Sequence, residues 1–183
     1  KWEDVEIHLK NGDHVRIKGQ AQWDRFDNCV TVMADSIEKT EKKVRKDTCE
    51  HKRVELHAHT KMSSMDGLNE VADLVKTAAA WGQPAVAITD HGVVQSFPDA
   101  AKTAKKLASD KKNPVDIKII YGMEGYVFDD ADCRNVDGSI DYKKKPTNHI
   151  ILLAKTQEGL KNIYKLVSWS HLNYFYKRPR LPK

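Results

Sequence analysis

The sequence predicts an α/β fold with a small β segment in front of it. Three observations carry that reading. Short apolar runs alternate with stretches of helical spacing. Those runs end in, or begin beside, His, Asp or Glu. The first part of the chain instead alternates apolar and polar residues around an Asn-Gly pair. Period 2 marks a half-buried strand, whereas short unbroken apolar runs between helical stretches mark strands buried on both faces of a parallel sheet.

In chain order, residues 5–9 and 15–19 alternate and flank Asn11-Gly12-Asp13. Asn and Gly accept the positive φ of a tight turn, so this is a hairpin signal. Residues 30–34 read as another strand. Residues 38–52 are rich in charge and lack an apolar period, which marks a linker. Residues 53–60 read as a strand. Residues 67–81 carry Leu68, Val71, Leu74, Val75 and Ala78 at helical spacing. The apolar run 84–89 ends in Asp90-His91-Gly92, and 96–108 reads as a second helix. The strand 117–121 ends in Gly122-Met123-Glu124. A strand at 150–154 has His149 at its front edge. Residues 157–171 predict a third helix with Leu160, Ile163, Tyr164, Val167 and His171 on one face.

The residues with chemistry sit at the ends of these strands. Side chains i and i+2 share one side of a strand, so His57 and His59 can aim both imidazoles at one point. Asp66 follows in the same loop. Neutral imidazole is a common ligand for zinc, iron, nickel and copper. In α/β barrels, reactive groups collect at the C-terminal ends of the strands. His57, His59, Asp66, Asp90, His91, Glu124 and His149 would therefore meet at one rim. Taken singly, each has a plain use: Asp66 before Gly67 suits a turn or cap, and His149 suits a surface position. Their common placement at strand termini argues for convergence. His8, His14, His51 and His171 lack that context and receive no role.

Six stretches carry a resemblance. They are 54–60 (Val-Glu-Leu-His-Ala-His-Thr), 62–67 (Met-Ser-Ser-Met-Asp-Gly), 87–91 (Ala-Ile-Thr-Asp-His), 94–98 (Val-Gln-Ser-Phe-Pro), 120–124 (Ile-Tyr-Gly-Met-Glu) and the run from 158–162 through 174–180. Together they resemble the polymerase-and-histidinol-phosphatase (PHP) domain of bacterial replicative polymerases, and most closely that of PolC-type DNA polymerase III alpha subunits. Residues 53–183 are covered. The Gln-Ser-Phe-Pro and Tyr-Phe-Tyr…Arg-Pro-Arg pieces point to the polymerase branch rather than to stand-alone phosphatases.

The resemblance implies a distorted (β/α)7 barrel, here partial, with up to three divalent metals of zinc, manganese or iron type. His57, His59, Asp66, His91, Glu124 and His149 would be six of the family's nine ligands, with Asp66 at a place some relatives fill with His. The remaining three, a Cys or His and a late Asp-x-His pair, have no counterpart here. Asp90 would orient an imidazole from behind. The family's chemistry is phosphoester hydrolysis, and in the polymerases the domain is variously a proofreading nuclease, a pyrophosphatase or a structural metal site. PolC-type chains usually carry an exonuclease between the Glu124 and His149 motifs. Here that interval is only 125–148, where Asp129-Asp130, Asp132 and Asp137-Gly138-Ser139 suggest a polar loop. Residues 1–37 resemble the end of the oligonucleotide-binding (OB) module that precedes the domain. The chain is thus expected to be a segment of a longer replicase, cytoplasmic and nucleoid-associated. The parent would use magnesium and engage DNA, the sliding clamp and other replisome proteins.

Composition agrees. The 183 residues carry a net charge of +5 and a pI near 9.0, which permits attraction to nucleic acid. Trp23 and Phe26 could stack on bases or fill a small β core. Lys143, Lys144 and Lys145 could meet phosphates or form solvated surface. Cys29, Cys49 and Cys133 are odd in number without a C-x-x-C pair, which fits a reducing compartment better than a disulfide framework. No apolar run is long enough for a membrane span. Three functions stay open at this level: a metal-dependent module of a replicase, a non-catalytic scaffold, and a free-standing phosphoesterase.

Overall fold

The computed structural model describes residues 8–131, 133, 135–139, 141–143 and 145–183. The chain divides into two compact units, Lys1–Asp47 and Thr48–Lys183.

The first unit is a two-stranded antiparallel ribbon of β1 (Val15–Asp24) and β2 (Cys29–Lys39). Register runs from Val15↔Lys39 to Asp24↔Cys29, with a bulge between Lys18 and Gly19. Its turn is residues 25–28, where the Asp24 carboxylate accepts the Phe26 N–H at 2.8 Å and Asn28 takes φ 51°. The expected hairpin around Asn11-Gly12 differs. That pair does turn the chain, with Gly12 at φ 93° and the Asp13 N–H donating to the Lys10 carbonyl at 3.0 Å. His8 and Leu9 nevertheless lie outside any strand, and residues 5–7 fall outside the described residues. Asn-Gly chemistry specifies a local bend; which segments then form a ladder depends on partner length, and 29–39 is the longer partner. β2 also runs two residues into the stretch read as linker.

The second unit is mixed α/β. α1 (Val71–Ala80) leads to β3 (Ala85–Ile88), α2 (Phe97–Ala108), β4 (Lys118–Phe128), β5 (Asn148–Leu153), α3 (Gln157–Asn173), β6 (Phe175–Tyr176) and β7 (Arg178–Pro182). The five-stranded sheet runs β3-β4-β7-β6, with β5 also paired to β4. All four residues of β3 are buried, as a strand covered on both faces requires. α1 and α2 close on it through Val71, Val75, Ala78, Phe97 and Ala100. A second small core joins Met123 of β4, Ile163 of α3 and Leu181 of β7. α3 opens on Thr156, whose hydroxyl accepts the Gly159 N–H at 3.0 Å, the usual way of satisfying a first-turn donor.

Several expected elements change. Residues 53–60 make one isolated parallel bridge, Glu55↔Val86, rather than a full strand. α1 starts at Val71, not at residue 67, and Leu68 is exposed instead of joining the apolar face. The reason is the loop before it: a Cβ on Gly67 would lie 1.9 Å from the Thr60 carbonyl oxygen, so the chain folds back there rather than starting a helix. On α3, Ile163 is buried whereas Tyr164 and His171 are exposed. β4 continues past residue 121 to Phe128, which puts Glu124 inside the strand and not at its end.

β5 runs antiparallel to β4, pairing Tyr126 with His149. The strand–helix rhythm implied a parallel neighbour. The reversal has a consequence for the site. His149, at the front of an antiparallel strand, arrives beside the outgoing half of β4. In a parallel strand the same position would sit at the opposite end of the sheet.

Candidate metal centre

The ligand segment is pinned from behind. The Thr89 hydroxyl accepts the Ala58 N–H at 2.9 Å and donates to the Ala58 carbonyl at 3.1 Å. The Thr89 N–H also donates to the Ala58 carbonyl, at 2.9 Å. Asp90 accepts the Thr60 N–H at 2.6 Å and the Thr60 hydroxyl at 2.9 Å. Ala58 and Thr60 are buried, so the period of two turns His57 and His59 the other way.

The imidazoles close on one carboxylate. Glu124 Oε2 lies 2.7 Å from His57 Nε2 and 2.9 Å from His59 Nε2, and those two nitrogens are 2.9 Å apart. His149 Nδ1 contacts Glu124 Oε1. His91 faces Glu124 with Nδ1 at 3.7 Å and Asp66 with Nε2 at 3.0 Å. Glu124 is the floor, its side chain 3% exposed, while His57 and His149 are about half exposed at 49% and 50%. The cluster is therefore closed below and open on one side. Burial pushes the Glu124 carboxyl up, but the hydrogen bond from His57 and the neighbouring His91 and His149 outweigh it, leaving it below its ordinary value. For His59, burial first and then the proximity of His91 hold the imidazole below its ordinary value, favouring the neutral form.

Ser63 settles the tautomer of His59. Its hydroxyl donates to Asp90 at 2.8 Å. With its one proton spent, its oxygen accepts the His91 backbone N–H at 3.1 Å and the His59 Nδ1–H at 2.9 Å. A neutral imidazole carries one N–H and one lone pair, so the lone pair of His59 is on Nε2, aimed at Glu124 and His57. Asp90 thus touches no imidazole among the described contacts. It takes donors from Thr60, Ser63 and Ser96 and orients His59 through Ser63. Asp90 therefore reaches the imidazole by way of the Ser63 hydroxyl, its own carboxylate being filled by these donors.

The donor set fits divalent cations. Three triads could each hold an ion: His57, His59 and Glu124; His59, Asp66 and His91; His91, Glu124 and His149. His91 Nδ1 is buried with no hydrogen-bond partner, an uncommon expense for a polar atom that a bound cation would remove. Nitrogen with carboxylate oxygen is the donor chemistry of zinc, manganese and iron.

A family model described as the PHP domain matches residues 55–183. The chain belongs to the PHP domain family. PHP domains are a metal-binding fold, and the His and Glu groups here are arranged for that use. The chain is 48% identical over 129 residues to "DNA polymerase III PolC-type" of Clostridium perfringens (strain 13 / Type A), covering 70% of this chain and 8% of that protein. It is 40% identical over 164 residues to "DNA polymerase III PolC-type" of Staphylococcus aureus (strain bovine RF122 / ET3-1), covering 87% and 10%. The second match is longer than Thr48–Lys183 alone, so it extends into the first unit. The chain spans about a tenth or less of the length of these curated relatives.

All six sequence-nominated ligands of the PHP domain enter the triads. Trp23 and Phe26 are exposed on the first unit, at 58% and 100%. Lys143 is exposed, Lys145 is half-buried, and Lys144 lies outside the described residues, as does Asp132 of the expected polar loop. Sequence reasoning missed two residues. Tyr126 stacks on His91 at 5.5 Å and meets the His149 ring edge-on at 4.9 Å. Its position two after Glu124 on one strand was the available signal. Ser63 had none, since its role depends on where the loop places it.

Proposed function

We propose that this chain is the PHP module, with part of the preceding OB module, of a PolC-type replicative DNA polymerase III. On this reading residues 53–183 form the early part of a distorted (β/α)7 barrel, 1–37 the end of the OB module and 38–52 the joint between them. His57, His59, Asp66, His91, Glu124 and His149 hold up to three divalent ions of zinc, manganese or iron type. The observation that carries it is the sharing of His59, His91 and Glu124 among three overlapping triads. Bound ions of this kind polarise a phosphoryl oxygen and generate hydroxide from water near neutral pH, so the activity of the module is phosphoester hydrolysis, of 3′–5′ nuclease type on a DNA end. The chain's own residues prepare that chemistry. Glu124 brings the negative charge that gathers the ions. Ser63 presents the His59 lone pair. Tyr126 fixes the planes of His91 and His149 from beneath.

The parent polypeptide would synthesise DNA with magnesium at carboxylates elsewhere in its sequence. It would work in the bacterial cytoplasm on primer–template, alongside the sliding clamp and other replisome proteins. The names and identities of the relatives support this.

Metal analysis of the purified protein together with a phosphodiesterase assay tests the proposal. Bound metal and hydrolysis, both lost in His57→Ala and Glu124→Ala with folding intact, is the expected result. Metal without hydrolysis would reduce the module to a scaffold. Absence of stoichiometric metal would end the reading.

A further inference from the structure

The ligands occupy only part of the cleft they open into. A cavity of about 540 Å³ is lined by Asp66, His91, Tyr126 and His149, and also by Lys177 and Arg178 of the β6–β7 hairpin. The hairpin pairs Tyr176 with Arg178, so Lys177 alone makes the turn, at φ 61°. Met65, another residue of the same cleft, has φ 64°. Left-handed backbone at a residue other than Gly costs energy and concentrates where function demands a particular projection. Among the described residues of the second unit, both instances lie on this cleft.

Both cations lie against aromatic rings. The Arg178 guanidinium sits over the Tyr126 ring at 4.7 Å and the Lys177 ammonium 5.7 Å from the Tyr176 ring. Among the described residues no carboxylate forms an ion pair with either. Arg178 is thereby held, through Tyr126, one ring away from His91. A planar guanidinium suits two phosphate oxygens at once, and an ammonium adds a mobile point charge. Phe175, half exposed at 52%, lines the same cavity and offers an aromatic face of the kind on which unpaired bases stack.

We propose that Lys177 and Arg178 bind the backbone phosphate of a single-stranded nucleic-acid end, whose base lies on Phe175, and hold that phosphate against the imidazole–carboxylate cluster. This rests on the phosphoesterase reading above and names the residues that position its substrate. Two cations suit a strand bearing successive phosphates, and an exposed aromatic beside them has no use for a small, base-free phosphate ester.

The test is fluorescence anisotropy of a phosphorothioate-linked single-stranded oligonucleotide with the full chain in manganese, over a salt series. Arg178→Gln and Lys177→Gln should each weaken binding about tenfold, the loss of one charge-assisted contact. Each should also lower the salt slope by about one. Arg178→Lys should restore part of the affinity. Phe175→Ala should weaken binding about tenfold for a normal strand and not for one abasic at the end. Manganese stoichiometry should stay the same in every variant, because none is a ligand. Wild-type affinity and salt slope in the Lys177→Gln/Arg178→Gln double variant would overturn the proposal. So would binding of inorganic phosphate that is lost in that variant without any oligonucleotide binding, which would make the occupant a small ester. Failure of the wild type to take up manganese strikes instead at the metal reading, and the anisotropy comparison still decides this one.

Discussion

The two units of this chain place their apolar side chains to opposite effect. In Thr48–Lys183, Val75, Val86, Ile88, Phe97 and Met123 are buried, and polar groups such as Asp90, Thr60 and Ser63 are buried with them, each with hydrogen-bond partners. In the β1–β2 ribbon, Ile17, Trp23, Val30, Val32 and Met33 are about half exposed or more. Among the described residues of the first unit, the two-stranded ribbon has no second layer against which to bury them, and such ribbons are marginal by themselves. Local pattern is thus equally clear in both units. Only where layers stack does it produce an interior able to hold a carboxylate and five ligating partners at fixed distances.

That contrast can be broken at several points. The largest expected effect is Ile88→Ala, at a fully buried position of β3. Leaving a cavity between α1, α2 and the sheet should cost about 3 kcal/mol of unfolding free energy, read from urea denaturation of the metal-loaded protein. A loss under about 1 kcal/mol would mean that this core is loosely packed.

Ser63→Ala comes next. It removes the group that sets the His59 tautomer, and metal affinity should fall ten- to one-hundredfold, as for other groups that orient ligands. Isothermal titration with manganese measures it, and the 15N shifts of His59 should show Nδ1 losing its fixed proton. Unchanged affinity and shifts would assign Ser63 to loop structure alone.

Acidification of chelator-treated protein should have a smaller, graded effect. His59 and Glu124 both titrate lower in the fold than when free. The unfolded chain therefore binds more protons than the folded one, and stability rises with pH across those windows. The contribution is complete above about pH 6.5, the ordinary imidazole value. It is lost in two stages on acidification, first as unfolded His59 takes its proton and then, from the ordinary carboxylate range downward, as unfolded Glu124 does. A urea midpoint that stays level or rises on acidification would contradict the arrangement. Metal affinity should fall over the same first window, because imidazole must be unprotonated to ligate.

The smallest effect belongs to the ribbon. Trp23→Ala, at a position 58% exposed, should change the stability of the second unit by no more than about 0.5 kcal/mol. A larger change in urea unfolding would mean that the two units do not respond independently.

Much of the second unit was legible in the residues themselves. The unbroken apolar run 84–89 gave β3, and the helix read at 96–108 is α2. The six ligands were nominated from strand termini, although Glu124 turned out to be inside β4 and His149 at the start of a reversed strand. The six residues nevertheless come together because β4 lengthened and β5 reversed together, and both changes keep Glu124 and His149 at one place. The helix at 67–81 and the strand at 53–60 were overstated for one shared reason. Residues 60–70 fold back on themselves, held by Asp90 and the tight approach of Gly67 to Thr60, and no periodicity reports a contact to a residue thirty positions away.

Residue type alone determined which groups can ligate, which runs must be covered on both faces, and that Asn11-Gly12 bends the chain, because these are properties of single side chains and their nearest neighbours. The tertiary structure decided the direction of β5, the enclosure of Glu124 by four imidazoles, the protonated nitrogen of His59, and the seating of Arg178 on Tyr126. Each of those is a meeting of groups far apart in the chain. Its energy exists only once the sheet has brought them within a few ångströms, so no stretch of sequence carries it.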